Sequence, residues 1–345
     1  MKKFAVGIDI SKETFDASII SRENLSQTVA YGKFKNNEKG FRSFTKWVEK
    51  TCGTDARENV LMCAENTGVY SEPIAAAMSD DGWTIWIESA LQIKRSLGIS
   101  RGKDDKQDSR KIAEYAARHE DKAVAYIKPD ESVSTLQSLF SQCRHYIEMR
   151  DSLRRRSGEL KEKYSSNGVL AQSATIDEKM IEYINRQIKE IESQMKDIIA
   201  SDGKILKTYT ILTSMKGISL VNAVALIVYT NNFARFDFNA RKICSYWGVA
   251  PFAHQSGTSI NGTPHVSVYA DKYLKSLLSE AVLCAMRFCP AISAYSARLK
   301  ARGKHPSIIK NNCKNKMLHI LVAMVRTGKC YEKKSSNDHN SKKTA

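Results

Sequence analysis

The chain has 345 residues, 42% of them apolar, so it can form two or three folded units and is not an intrinsically disordered protein. Its formal charge of +17 indicates a polyanionic partner, with nucleic acid as the first candidate and an anionic membrane surface as the second. The charge is uneven, because residues 231–345 contain 19 Lys and Arg against 5 Asp and Glu. We therefore expect the basic surface mainly in the C-terminal part.

The sequence also argues against export and membrane insertion. Its start, MKKFAVGIDISKETF, resembles a signal peptide only briefly, since Asp9 and Lys12 interrupt the apolar run. The sequence contains no run of about 18 apolar residues, so no transmembrane helix is expected. The eight cysteines form no CxxC pairs and have no histidines at zinc-finger spacing, which indicates reduced thiols in a cytoplasmic protein without a membrane partner.

Residues 1–125 alternate between strand and helix patterns, which favours an α/β fold. Three strand-like runs come first, and an amphipathic helix, a strand, a helix, a strand and a further helix follow. In chain order the segments are KFAVGIDI, FDASIIS, TVAYGKF, EKGFRSFTKWVEK, NVLMCAE, YSEPIAAAMSD, WTIWIES and the helix that begins near residue 104. This order predicts a mixed sheet covered by helices, with active groups at the strand ends and on an adjoining helix.

Residues 130–205 have a long helical pattern. Apolar residues there follow the 4-3-4-3 spacing of a coiled coil or helical hairpin: Ile184, Ile188, Ile191, Met195 and Ile198. A helix pair within one chain and pairing between chains both fit this pattern, and in either case the segment is predicted to be an arm. Residues 206–330 are predicted to be mostly helical around one irregular stretch, WGVAPFAHQSGTSINGTPH, and residues 331–345 to be a disordered tail.

Within this basic chain, several acidic side chains stand at predicted strand ends and on one predicted helix, where they could form a single site. Asp9 interrupts the first predicted strand, Glu65 ends the fourth, and Asp105 and Asp108 are one turn apart on a helix. Convergence of these carboxylates would form an all-oxygen pocket suited to Mg²⁺, and two such ions can stabilise both oxygens of a phosphoryl displacement. The alternative is helix capping and first-turn acids for the helical group, which includes Asp104, and solvated turns for the other two.

Three motifs that carry these residues resemble the DEDD tetrad of the insertion sequence 110 family of transposases. They are GIDISKETFDASI, AENTGVY and GKDDKQDSRKIAEYA. Further on, ILTSMKGISLVNAVALI and FDFNARKICSYWGVAPFAHQSGTS resemble the family's C-terminal transposase domain, so the likeness spans most of residues 4–328. It implies an RNase H-like (RuvC-like) N-terminal domain, a helical coiled-coil arm and a mostly α-helical C-terminal domain.

The resemblance also assigns roles to individual residues. Asp9, Glu65, Asp105 and Asp108 become the ligands of Mg²⁺, or of Mn²⁺, and Ser256 becomes a nucleophile that forms a covalent phosphoserine link to DNA. The family's aspartate motif has Thr and Ala where this chain has Asp104 and Ser109, so the spacing to Asp108 assigns the ligand role to Asp105. On chemistry alone Ser259 is an equally good nucleophile, and the base for the serine is left open, although His254 is nearby.

Basic residues are expected to hold the nucleic-acid backbone rather than to select its sequence. The family's Pro-Gly-Ile-Gly motif is Lys216-Gly217-Ile218-Ser219 here, which fits either a phosphate contact or a simple helix–helix turn. The residues predicted to bind nucleic acid are Lys103, Lys216, Arg241, Lys242, Lys272 and Lys275.

The sequence therefore predicts a DNA transposase or recombinase. The resemblance implies donor and target double-stranded DNA, a noncoding guide (bridge) RNA, a homodimer or homotetramer, and a nucleoid-associated prokaryotic location. Two alternatives stay open: a RuvC-like endonuclease that hydrolyses DNA junctions, and a non-catalytic nucleic-acid-binding protein whose acids only cap helices.

Overall fold

A computed structural model describes residues 1–96, 104–163, 168–256, 260–266 and 271–332. The chain divides into two compact units, Met1–Lys128 and Pro129–Ala345, and each is described by itself. The predicted Lys103 lies outside the described residues, as do Gly257 and Ser259.

The first unit contains one five-stranded sheet and its covering helices. Its elements are β1 (Phe4–Ile10), β2 (Thr14–Ser21), β3 (Asn24–Lys35), α1 (Glu38–Cys52), α2 (Ala56–Asn59), β4 (Val60–Glu65), α3 (Glu72–Asp80), β5 (Ile85–Glu88), α4 (Ala90–Ser96) and α5 (Asp105–Arg118). The strand order is β3-β2-β1-β4-β5. Strand β2 is antiparallel to both of its neighbours, whereas β1, β4 and β5 are parallel.

This mixed sheet is an RNase H-like fold and confirms the predicted fold class of the first unit. Side chains that alternate along the strands form two separate cores. Val6 and Ile8 of β1 pack on one face with Phe41 and Phe44 of α1. The other face of the sheet packs against α5, whose Ile112 is part of that second core.

Helix α5 lies unusually close to β1 at Gly7. A Cβ at Gly7 would meet the backbone N of Ala113 and the backbone O of Ser109, each at 2.1 Å. The fully buried Ser109 hydroxyl also bonds to the Ser18 hydroxyl of β2, at 2.8 Å. The backbone-to-backbone contact and this buried hydrogen bond fix the first turns of α5 over the centre of the sheet.

The second unit consists of helices and one β-hairpin. Its elements are α6 (Glu131–Lys163), α7 (Gly168–Ser201), α8 (Gly203–Thr213), α9 (Leu220–Tyr229), α10 (Ala240–Tyr246), β6 (Pro251–Ser256), β7 (Ile260–Val266), α11 (Lys272–Phe288), α12 (Pro290–Ala301) and α13 (Pro306–Thr327). The buried side chains of α6 and α7 belong to the same hydrophobic cluster as those of α8 to α13. The predicted boundary at residues 205–206 stays a prediction.

The helical predictions for this unit agree with the structure, with two differences. Helices α6 and α7 pack against each other within the chain. The first difference is that Ile199 is buried, whereas Ile198, which was predicted for the apolar seam, is only partly buried. The stretch predicted to be irregular contains the antiparallel β6–β7 hairpin. The expected disordered tail falls mostly on residues 333–345, which lie outside the described part of the chain.

All eight cysteines are described, and each is a free thiol, as predicted. No single helix in the described ranges is long and apolar enough to cross a membrane, although α11 and α12, bent by 94° at their junction, meet that length and composition together.

We predict that Gly7→Ala lowers the free energy of unfolding of the first unit by about 3 kcal/mol or more, because backbone atoms of α5 occupy the space of the new methyl group. Tryptophan fluorescence in urea measures this, since Trp47, Trp83 and Trp86 lie in the first unit. Gly158→Ala on α6, in the second unit, is the control, because nothing lies within 4 Å of a Cβ there and the unfolding of the first unit should stay unchanged. Equal stability of Gly7→Ala and the native chain would refute the close approach.

Candidate active site

A row of charged side chains crosses the sheet on the face covered by α5. Asp9 of β1 pairs in register with Asp16 of β2, and Asp16 pairs with Lys33 of β3. On the other side, Glu65 of β4 pairs with Glu88 of β5. Asp9 and Glu65 both stand one position beyond the last β1–β4 pair. Because paired residues project from the same face of a sheet, these five side chains lie along one line.

The first turn of α5 adds two carboxylates to this row. Asp104 is the N-cap of the helix, and its carboxylate accepts a hydrogen bond from the backbone N of Lys106 at 3.4 Å. Asp105 and Asp108 follow in the first turn. The Nζ of Lys33 lies 3.6 Å from the Asp105 carboxylate. The capping explanation therefore applies to Asp104, whereas Asp105 extends towards the sheet row.

Asp9 is the electrostatic centre of this group. Its pKa is raised to about 6, first by burial and then by the negative charges of Glu65, Asp108, Asp105 and Asp16. Each of these carboxylates disfavours a second negative charge at Asp9, because like charges in a partly desolvated place repel. The structure thus brings the four predicted acids into mutual electrostatic range. Asp104 is not among the residues that shift Asp9.

Lysines partly balance these acids. The Nζ of Lys33 lies 3.3 Å from Asp16, whose side chain is only 5% exposed, and this contact raises the pKa of Lys33. Asp16 also accepts a hydrogen bond from the Tyr31 hydroxyl, which raises the pKa of Tyr31 to about 12. On α5 the Nζ of Lys111 lies 2.7 Å from Asp108. Asp16 and Asp108 therefore already have cationic partners, whereas Asp9 has only acidic neighbours among the causes of its pKa shift.

The donor set suits a hard divalent cation. All four predicted ligands offer carboxylate oxygens, the atoms that Mg²⁺ and Mn²⁺ prefer. As the side chains stand, no three His, Cys, Asp or Glu residues in the described part of the chain are grouped closely enough to ligate one ion. A divalent cation held by these carboxylates would replace their mutual repulsion by attraction.

Sequence reasoning missed the other members of the row, Asp16, Lys33 and Glu88, and Tyr31, whose hydroxyl donates to Asp16. The signal for Asp16 was available, because it is a charged residue within a strand pattern, only a short turn away from Asp9. In the β1–β2 hairpin, the N–H of Ser11 donates to the carbonyl of Thr14 at 2.9 Å, which fixes the register that sets Asp9 opposite Asp16. Lys33 and Glu88 depend on the pairing of more distant strands.

The predicted nucleophile, Ser256, is the last residue of β6 and pairs with Ile260 of β7. Its side chain lies outside what the structure describes, as does that of His254. Helix α13 holds the chain just before this hairpin, because the side-chain amides of Asn311 and Asn315 donate to the carbonyl of Val249 at 3.0 and 3.4 Å.

The basic residues predicted to bind nucleic acid stand at helix starts and turns of the second unit. Lys216 is exposed in the turn between α8 and α9, where Gly217 has a φ of +104° and a Cβ would meet the carbonyl of Ala281 at 2.4 Å. This observation accounts for Gly217 by packing and leaves Lys216 available for a ligand. The other described candidates lie at the starts of α10 and α11: Arg241, Lys242, Lys272 and Lys275.

Comparisons with protein families give one consistent result. Residues 6–164 match a transposase family model named for the DEDD transposases of IS110, and residues 209–297 match the transposase IS116/IS110/IS902 family. Together the two matches cover well over half of the chain.

Individual relatives extend this likeness over nearly the full length. The chain is 28% identical over 338 residues to the pilin gene-inverting protein of Moraxella bovis, covering 97% of this chain and 99% of that protein. It is 29% identical over 149 residues to an uncharacterized 43.6 kDa protein of insertion element IS110 from Streptomyces coelicolor, covering 43% of this chain and 35% of that protein. Among solved structures, Thermus thermophilus RuvC in complex with a Holliday junction substrate aligns with a TM-score of 0.28 and 9% identity, over 35% of this chain and 97% of that one.

We predict that Asp9 makes the fold less stable as the pH rises from 3.8 to about 6. In that range the native carboxyl binds its proton more tightly than the unfolded chain does, so deprotonation favours unfolding. Asp9→Asn removes this penalty, so its melting temperature should exceed that of the native chain by a few degrees at pH 7 and match it near pH 4. The exposed Asp81→Asn is the control. Parallel pH profiles for native chain and Asp9→Asn would contradict the shift.

Proposed function

Because the chain belongs to the insertion sequence 110 family of transposases, we propose that it is a DNA recombinase that uses carboxylate-held divalent ions and a serine nucleophile. The observation that carries this proposal is the convergence of four acidic side chains. Asp9 and Glu65 stand at the ends of two neighbouring strands, and Asp105 and Asp108 lie on the first turn of the helix packed over them. Burial, followed by the charges of the other three, raises the pKa of Asp9. A protein that only binds nucleic acid has no use for such repulsion.

The four carboxylates would hold Mg²⁺ or Mn²⁺, which when bound would polarise a DNA phosphate and stabilise the negative charge of the reacting oxygens. Two of these ligands, Asp9 and Glu65, come from adjacent central strands and are fixed by the sheet. The other two, Asp105 and Asp108, are fixed by the packing of α5 at Gly7. Catalysis of phosphoryl transfer depends mostly on such positioning, so rigid elements are the appropriate supports.

Ser256 is the proposed nucleophile. Its Oγ would form a bond to a DNA phosphorus while one P–O bond of the backbone breaks. The serine gives up its hydroxyl proton, and the departing sugar oxygen takes up a proton. The resulting phosphodiester between serine and DNA keeps the bond energy, so attack by a DNA hydroxyl can later release the serine and rejoin the strand.

A relative supports strand exchange over simple hydrolysis. The protein from Moraxella bovis, similar to this chain over 97% of its length, is named for inverting the pilin gene. Inversion requires every broken strand to be rejoined, which a hydrolytic nuclease does not do. We extend this to the present chain and propose that it exchanges strands between donor and target DNA.

The family resemblance supports two further parts of the proposal. A noncoding guide RNA would select the two DNA sites, which fits basic residues that neutralise phosphates and carry no base code of their own. A homodimer or homotetramer would supply one active site for each strand that is cut.

We predict that Ser256→Ala abolishes the covalent protein–DNA adduct and retains DNA binding. Labelled DNA is incubated with the protein, Mg²⁺ and the RNA transcribed from the flanks of the element, and the adduct is measured by denaturing electrophoresis. Ser259→Ala is the matched control, since it removes a hydroxyl only three residues further along the chain and should leave the adduct unchanged. An adduct that persists in Ser256→Ala and disappears in Ser259→Ala would reassign the nucleophile, and free DNA ends without any adduct would indicate hydrolysis.

We predict that Asp105→Asn weakens binding of Mn²⁺ at least about tenfold, whereas Asp104→Asn leaves it unchanged, because Asp104 acts as the cap of α5. Asparagine caps a helix about as well as aspartate does, so the two variants differ in the ligand alone. Isothermal titration calorimetry without nucleic acid measures the affinity. Equal losses in both variants would show that only the total charge matters.

A further inference from the structure

Lys314 on α13 is a buried cation without an acidic partner. Only 6% of the residue is exposed, and its Nζ donates to the Ser279 hydroxyl at 2.5 Å and to the Lys275 carbonyl at 3.3 Å, both on α11. Both acceptors are neutral. Among the described residues no carboxylate forms an ion pair with Lys314.

The surroundings make this charge less favourable still. Burial, followed by the positive charges of Lys310 and Lys275, lowers the pKa of Lys314 to about 8. Both neighbours are themselves partly buried. Two acids lie on or beside α11. Asp271, its N-cap, accepts from two backbone N–H groups of the helix and lies 3.4 Å from the Nη1 of Arg144. Glu280, next to Ser279, is exposed and is not among the ion-pair partners of the described lysines. Lys275 and Lys310 therefore lie within electrostatic range of Lys314, and no described carboxylate forms an ion pair with any of the three.

This place lies at the base of the β6–β7 hairpin. The same face of α13 that carries Lys314 holds the chain before β6, through Asn311 and Asn315. Lys314 itself bonds to α11, the first helix after β7. Helix α13 therefore contacts both the chain just before β6 and α11, the first described helix after β7.

A buried ammonium group is unfavourable unless an opposite charge meets it, so an uncompensated one indicates a ligand or a functional demand. We propose that Lys275, Lys310 and Lys314 form a binding site for a backbone phosphate of the DNA strand that approaches the β6–β7 hairpin. DNA is the favoured ligand because the hairpin carries the serine proposed to attack DNA, and in that respect the inference rests on the proposed function. Lys314 acts as a positioning residue, since it would hold the strand for another group to attack.

The test measures affinity for labelled duplex DNA by fluorescence anisotropy between about 50 mM and 200 mM salt. Lys314→Gln should weaken binding and lower the slope of log K against log salt by about 1, the loss expected for one phosphate contact. Its melting temperature should stay the same or rise, because a buried charge is removed. Lys314→Arg keeps the charge and should retain the slope.

The controls distinguish a phosphate site at Lys314 from an effect of the total charge and from a helix clamp, that is, a purely structural contact of Lys314 with α11. Lys46→Gln on α1 removes an equal charge from the opposite face of the first unit's sheet and should leave the slope unchanged. A slope unchanged in Lys314→Gln with a lowered melting temperature would overturn the proposal in favour of a clamp. Loss of affinity for single-stranded RNA but not for duplex DNA would overturn the assignment to DNA.

Two further variants keep the test decisive. If Lys314→Gln fails to fold, the partly exposed Lys310→Gln is used, and an unchanged slope there would overturn the proposal. Ser256→Ala should keep the native slope, because it removes no cation. A native protein without any covalent adduct would refute the proposed chemistry alone, whereas the slopes of the lysine variants decide the phosphate site independently.

Discussion

The arrangement of the candidate active site depends on one contact, the approach of α5 to β1 at Gly7. No side chain larger than hydrogen fits there, because backbone atoms of Ser109 and Ala113 fill the space at 2.1 Å. Ser109 follows Asp108 directly, so the contact that buries Ser109 also determines where Asp108 stands. The Ser18–Ser109 hydrogen bond fixes the helix along the strand direction as well. Packing and site geometry are therefore one constraint: without the close approach, the helical acids would stand further from Asp9.

That constraint forces acidic groups together at a cost in stability. Burial and four carboxylates raise the pKa of Asp9, so the folded chain concentrates negative charge that the unfolded chain disperses. Lys33 relieves part of the repulsion, since it contacts both Asp16 and Asp105 and so connects β2 and β3 to α5. Lys33 is half-exposed and therefore adds little to stability. Its position matters more for the distribution of charge, because Lys33 neutralises the β3 edge of the row and leaves the centre, at Asp9, negative.

The parts that could be predicted from the sequence are those that local patterns encode. Short strand-like runs rich in apolar residues identified β1, β2 and β4, and the spacing of Asp105 and Asp108 indicated a shared helix face. The row across the sheet was only half foreseen, because Lys33 and Glu88 reach it through strand pairings that no short segment encodes. The β6–β7 hairpin was missed because its strands have no clean alternation of apolar and polar residues: Gly262 and Pro264 lie within β7, and both weaken a strand pattern. Nothing in the sequence around Lys314 distinguishes it from exposed lysines, since its burial arises from the packing of α13 on α11.

Both proposed sites gather charges of one sign, negative in the first unit and positive in the second. Acidic residues accumulate around Asp9 in a strongly basic chain, and cationic residues accumulate around Lys314 without an acid to balance them. If these charges served the fold alone, the members of each cluster would be more stable beside residues of opposite sign, and with 54 Lys and Arg and 37 Asp and Glu the chain contains enough of each to pair the members of these two clusters. Each cluster instead lacks a charge of opposite sign. A divalent cation would supply it at the carboxylates, and a phosphate would supply it at the lysines. DNA together with divalent ions carries both charges, so the substrate class proposed for this chain matches the charge that each unit, taken by itself, leaves unbalanced.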